Sequence, residues 1–107
     1  SRGLGDVYKR QEYLYNIGEM AGSTFEDYIA HEIAHILPFQ NCITEEDYRN
    51  MREELRKTFV AGISGYSDRT CDGAESLAEA FVRYRNGERI PNEAKELIKK
   101  YIYPWRK

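Results

Sequence analysis

Four stretches of this chain repeat apolar positions at the spacing of a helix, three and four residues apart. The first lies in STFEDYIAHEIAHILPFQ, residues 23–40. Ser23 followed by Glu26 is a capping-box pattern that predicts a start near Thr24, and Pro38 predicts an end near Leu37. The second, TEEDYRNMREELRKTFVAG, offers Thr44 as N-cap, a stripe of Tyr48, Met51, Leu55 and Phe59, and Gly62 as a stop. The third, AESLAEAFVRYRN, is bounded by Asp72 and Gly87. The last runs from Asn92 to Ile102, with Ala94, Leu97, Ile98, Tyr101 and Ile102 at helical spacing before Pro104. Two segments differ. In EYLYNIGEM, residues 12–20, Tyr13, Tyr15 and Ile17 alternate and predict a short strand. ISGYSDRTCDG, residues 63–73, predicts a loop from its Gly, Ser and Asp content. The pattern as a whole predicts a mainly α chain of about four helices with one short N-terminal strand, without repeats or low-complexity tracts.

The first eleven residues, SRGLGDVYKRQ, follow neither period. They resemble a translated sequencing-adapter read-through of the kind found at the ends of metagenomic protein sequences. Residues 1–11 are therefore read as a non-native tail and left out of fold reasoning. Residues 12–107 are read as one domain, the C-terminal part of a longer protein.

Composition narrows the function classes. A chain of 107 residues is one domain at most, and 41% hydrophobic residues with nine tyrosines suffice for a modest core. The net charge is −2 with both signs interleaved, so no basic patch argues for nucleic acid. No apolar run approaches membrane-spanning length and no signal-peptide core is visible, so the location of the protein is not legible here. Cys42 and Cys71 lack ligand spacing and are either a disulfide or two reduced thiols.

The chemistry concentrates in the first helix. His31 and His35 are the only two histidines and stand four apart, so they share one helix face a turn apart. Two imidazoles so placed can hold one Zn²⁺, and Glu32 between them can take a proton from the attacking water. Such pairs also occur in helices that bind no metal. Shuffling this composition would give His-Glu-x-x-His in roughly two cases per thousand, which favours the metal site. A third ligand must then come from a carboxylate. Glu75 and Glu79 lie four apart on the third helix beside Leu77, Ala78, Phe81 and Val82, and burying either one unpaired is expensive. Their first-turn and second-turn positions predict that Glu75 reaches the metal. Glu79, about 6 Å further along, should accept a hydrogen bond from the outer nitrogen of one histidine.

HEIAH, followed after a helical insertion by ISGYS and AESLAEAF, resembles the catalytic domain of the anthrax lethal factor-like zinc metallopeptidases. It is similar also to related zincin domains of phage head-associated and polyvalent proteins. The resemblance covers residues 24–85. It implies a truncated zincin-like α+β metallopeptidase domain with His31, His35 and Glu75 on Zn²⁺, Glu32 as general base, Tyr66 as the hydroxyl that stabilises the transition state, and Glu79 as an outer carboxylate. The chain departs from the family at Ser76 and Leu77, where bulky aromatics are usual, so packing beneath the ligand helix should differ. The implied activity is hydrolysis of peptide bonds in a polypeptide substrate. The alternative is a zinc-bound structural or interaction module of a phage head or polyvalent toxin protein, joined to other domains of its parent chain. A metal-free helical domain would require both motifs to be coincidental.

Overall fold

A computed structural model describes residues 4–106. Six helices follow one another: α1 (Leu4–Asn16), α2 (Phe25–Ile36), α3 (Glu45–Arg56), α4 (Gly65–Thr70), α5 (Gly73–Arg85) and α6 (Asn92–Tyr101). Short 3₁₀ turns at Leu37–Phe39 and Tyr103–Arg106 follow α2 and α6, and no strand occurs among the described residues.

Helix α5 is the centre. α2, α3, α4 and α6 all pack against it, and its residues from Ser76 to Ala80 are buried almost without exposure. A helix buried on most sides needs small residues where neighbours approach. α5 meets this need with Gly73, Ser76, Ala78 and Ala80. The approach is tightest at Gly73, where an added Cβ would stand 1.8 Å from the Leu55 carbonyl oxygen. α2 contributes Ala30 and Ala34 to the same interior, so the two backbones lie close together. Around them, Leu55, Val60, Ile63, Leu77, Ile90, Ile98 and Ile102 form the main core.

Several element limits differ from those the sequence predicts. Residues 12–16 belong to α1 rather than to a strand, and α1 reaches back to Leu4, through part of the presumed tail. Tyr13 and Ile17 are both exposed, so their alternation did not mark a buried face, and among the described residues there is no second strand for them to pair with. The capping box of α2 is shifted by one residue. Thr24 Oγ1 accepts from the Asp27 N–H while the Asp27 carboxylate accepts from the Ser23 and Thr24 N–H groups, leaving Glu26 exposed. α3 keeps its Thr44 cap but ends at Arg56, so Phe59 lies beyond it and Gly62 takes a positive φ in the following turn. The predicted loop at 63–73 contains α4, whose cap is Ser64. α5 and α6 start and end where the pattern placed them, with Asp72 capping Ala74 N–H. Cys42 and Cys71 are free thiols, and no described helix is long and apolar enough to cross a membrane.

Candidate metal centre

Helices α2 and α5 run past each other in opposite directions, and three pairs mark the register. Asp27 meets Asn86, His31 meets Glu79, and His35 meets Glu75. Because the alanines between these side chains let the helices close up, polar groups from both sides meet in a partly buried seam.

At the centre of the seam, His31 Nε2 and His35 Nε2 stand 3.1 Å apart. Glu75 Oε1 lies 3.0 Å from His35 Nε2, and Glu75 Oε2 lies 3.4 Å from His31 Nε2. Glu75 Oε2 is buried and has no hydrogen-bond partner. Two ring nitrogens and a carboxylate therefore face one another across a small gap.

His31 is oriented from behind. Its Nδ1 donates to Glu79 Oε2 at 3.0 Å, since a carboxylate can only accept, and this turns Nε2 toward His35 and Glu75. Glu79 is only 1% exposed, and its other oxygen accepts from the Ala21 N–H at 3.1 Å and the Ser64 hydroxyl at 2.8 Å. Ala21 and Ser64 come from the loops before α2 and α4, so three segments hold one carboxylate in place.

Charge responds to this crowding. Burial pulls the His31 pKa down, but hydrogen bonds and charge from Glu75 and Glu79 outweigh it and push it up to about 9. Burial pulls Glu75 upward, yet its contacts with His31 and His35 dominate and hold its carboxyl well below the usual range. Without a metal, the gap holds a proton on His31 against an ionised Glu75.

His31, His35 and Glu75 form a group able to hold a metal ion, one donor atom from each lying within 4.8 Å of the others. Donors about 2.0–2.2 Å from a shared tetrahedral centre stand about 3.3–3.5 Å apart. The His31 Nε2–Glu75 Oε2 separation of 3.4 Å already matches, whereas the His31–His35 separation of 3.1 Å and that from His35 Nε2 to the other carboxylate oxygen, 3.0 Å, need to open by a few tenths of an ångström. The donor chemistry fits as well: two nitrogens and one oxygen leave a fourth position open. Glu79 is outside this group, held by its own partners.

Tyr66 and Glu32 lie to one side of the centre. With His31 and Glu79 they line a cavity of about 270 Å³ that Leu14, Met20 and Val82 also border. The Tyr66 ring centroid is 6.3 Å from that of His31, and burial followed by the Glu75 charge raises its hydroxyl pKa. Tyr66 owes its position to the α4 N-terminus, where Gly65 N–H and Tyr66 N–H donate to the Gly18 and Glu19 carbonyls at 2.8 and 2.9 Å. Glycine permits that approach, since a Cβ at residue 65 would come within 2.4 Å of the Glu19 carboxylate. Glu32 is exposed at the cavity rim.

Sequence reasoning missed Ser64 and Ala21, and named Ser76 only as a departure from the family pattern. Ser64 and Ser67 form a capping box of α4, and this Ser-x-x-Ser spacing was the available signal. Nothing in the sequence points to the Ala21 backbone. Ser76, in the position where an aromatic was expected, is buried, accepts from Val60 N–H at 3.2 Å and donates to the Gly73 carbonyl, so it ties the loop after α3 to the start of α5.

Compared with known protein families, curated proteins and solved structures, the chain shows no match.

Proposed function

We propose that this chain carries a zinc-dependent peptidase site of the zincin type. The observation that supports this most is the convergence of His31 Nε2, His35 Nε2 and the Glu75 carboxylate on one gap, with separations of 3.0 to 3.4 Å. The side chains involved all lie on α2, α4 and α5, so the reading needs no strand from the described residues.

His31, His35 and Glu75 would hold the ion. Zinc in such a set supplies Lewis acidity and brings the pKa of water near neutrality. Glu32, beside the ligands and open to the cavity, takes the proton of the attacking water and returns it to the leaving amine. Tyr66, whose raised pKa keeps it protonated at neutral pH, donates to the substrate carbonyl oxygen as that atom gains charge. Glu79 fixes the His31 ring and raises its basicity toward the ion. The substrate is a polypeptide.

The test is cleavage of a peptide pool by zinc-reconstituted protein. Cleavage should stop on chelation. Glu32→Gln should lower the rate by roughly a hundredfold or more while zinc stays bound, because glutamine cannot act as a base. A Glu32→Gln protein that cleaves like wild type would remove Glu32 from the mechanism.

A second reading, a zinc-bound interaction module, is favoured by one observation. The outer face of α2 exposes Phe25, Ile29, Ile33 and Ile36 in a row, an apolar strip suited to a partner. Full zinc occupancy without cleavage of any pool would support it over the peptidase.

A further inference from the structure

The metal centre separates two unlike cavities. On the Tyr66 side the lining carries Leu14, Met20 and Val82 and no cationic side chain other than His31, with Asp27, Glu32 and Glu79 as its carboxylates. On the other side His35 and Glu75 line a cavity of about 380 Å³ whose far wall is α3, with Arg49, Arg52 and Arg56. These arginines follow one another at positions i, i+3 and i+7, the spacing that keeps side chains on one helix face. Their compensation is uneven. Arg56 pairs with Glu53, whereas Arg49 and Arg52 form neither an ion pair nor a hydrogen bond among the described residues. Asp72, which lines the same cavity, caps α5 through Ala74 N–H, and Glu75 faces the imidazoles. Two exposed guanidinium groups thus stand without an ion pair among the described residues in the concave wall next to the candidate metal, with Glu53 and Glu45 as nearby carboxylates.

A guanidinium presents a planar fork of N–H donors that matches a carboxylate. We propose that Arg49 and Arg52 form a carboxylate subsite, so that the substrate is a peptide lying across the metal centre. An uncharged side chain faces Leu14 and Met20, and a carboxylate, from an acidic side chain or from the chain terminus, faces α3. This rests on the peptidase reading above and adds to it a substrate class and a direction.

The experiment uses peptides that differ only in Glu against Gln next to the central bond, each with a free or an amidated C-terminus. Binding is measured by calorimetry on zinc-loaded Glu32→Gln protein, and hydrolysis separately on wild type. Carboxylate-bearing peptides should bind about tenfold or more tightly than their amides, the effect of a charged hydrogen bond. Which arm carries the preference identifies the side chain or the terminus as its source. R49Q/R52Q should abolish the preference with zinc content and helicity unchanged, and R49E/R52E should reverse it in favour of lysine-bearing peptides. Equal binding of acid and amide, or a preference that survives R49Q/R52Q, would overturn the proposal. The two claims fail separately. Acid-selective binding without hydrolysis by wild type keeps the subsite and removes the peptidase, whereas hydrolysis indifferent to the carboxylate does the opposite.

Discussion

Glu79 Oε2 accepts from His31 Nδ1 at 3.0 Å, and Glu79 itself is fixed by Ala21 N–H and the Ser64 hydroxyl through its other oxygen. One buried carboxylate thereby fixes the angle of an imidazole that it shares with the candidate metal, and keeps the proton on Nδ1 when Nε2 gives up its own.

The two glutamates of α5 should therefore differ when removed. Glu75→Ala takes away a donor of the metal group and should nearly abolish zinc binding. Glu79→Ala should weaken it by roughly ten- to a hundredfold, the usual effect of losing a ligand's hydrogen-bond partner. It should also destabilise the fold by about 1–3 kcal/mol, because Ala21 N–H and the Ser64 hydroxyl lose their buried acceptor. Competition with a chromogenic chelator ranks the two variants, and thermal melting reads the stability. The reverse ranking would assign the metal to Glu79.

The metal-free protein should be sensitive to alkaline pH. His31 is raised from its ordinary 6.5 to about 9, so its charged contacts contribute stability that is complete below pH 6.5 and is lost as pH rises toward 9. Glu75 is lowered from its ordinary 4.5, so its contribution is present above that value and is lost as pH falls below it. Melting of chelated protein should accordingly be highest between these limits. Zinc should reduce the alkaline loss and release protons on binding, since His31 must give up its own. A melting temperature that rises between pH 6.5 and 9 in chelated protein would contradict this ion-pair assignment.

The far end of the α2–α5 seam is held by Asp27 and Asn86. Asp27 Oδ1 accepts from Asn86 Nδ2 at 3.0 Å while Oδ2 accepts from Ser23 and Thr24 N–H. Asp27→Ala should cost about 1–2 kcal/mol and Asn86→Ala less, because the former loses the cap as well as the link between helices. A double-mutant cycle should give a coupling of at least about 0.5 kcal/mol. Additive effects in denaturant melts would mean that the contact adds nothing to stability.

The helices that carry the site were the legible part of the sequence. His31 and His35 were recognisable by spacing, and Asp72 and Gly87 framed α5 because caps and stops act locally. The misreadings fall where two local signals overlap or where tertiary contacts decide. Ser-Thr-Phe-Glu-Asp contains two capping boxes offset by one residue, and the link from Asp27 to Asn86 favours the second. At the end of α1 and just beyond it, Tyr13 and Ile17 are four apart as well as alternating with Tyr15, so one short pattern satisfied both periods. α4 has only six residues, too few for a periodic stripe, and its docking onto the Gly18 and Glu19 carbonyls is long-range. The support behind Glu79 was illegible for the same reason, since Ala21 reaches it through a backbone N–H.

The most direct test of the metal centre is zinc K-edge X-ray absorption on protein reconstituted with one equivalent of zinc. Two imidazole nitrogens and oxygen donors at about 2.0–2.2 Å, with no sulfur, are expected for His31, His35 and Glu75. Loss of one imidazole in His35→Ala should follow. A sulfur contribution from Cys42 or Cys71, or a wild-type spectrum without imidazole, would contradict the assignment.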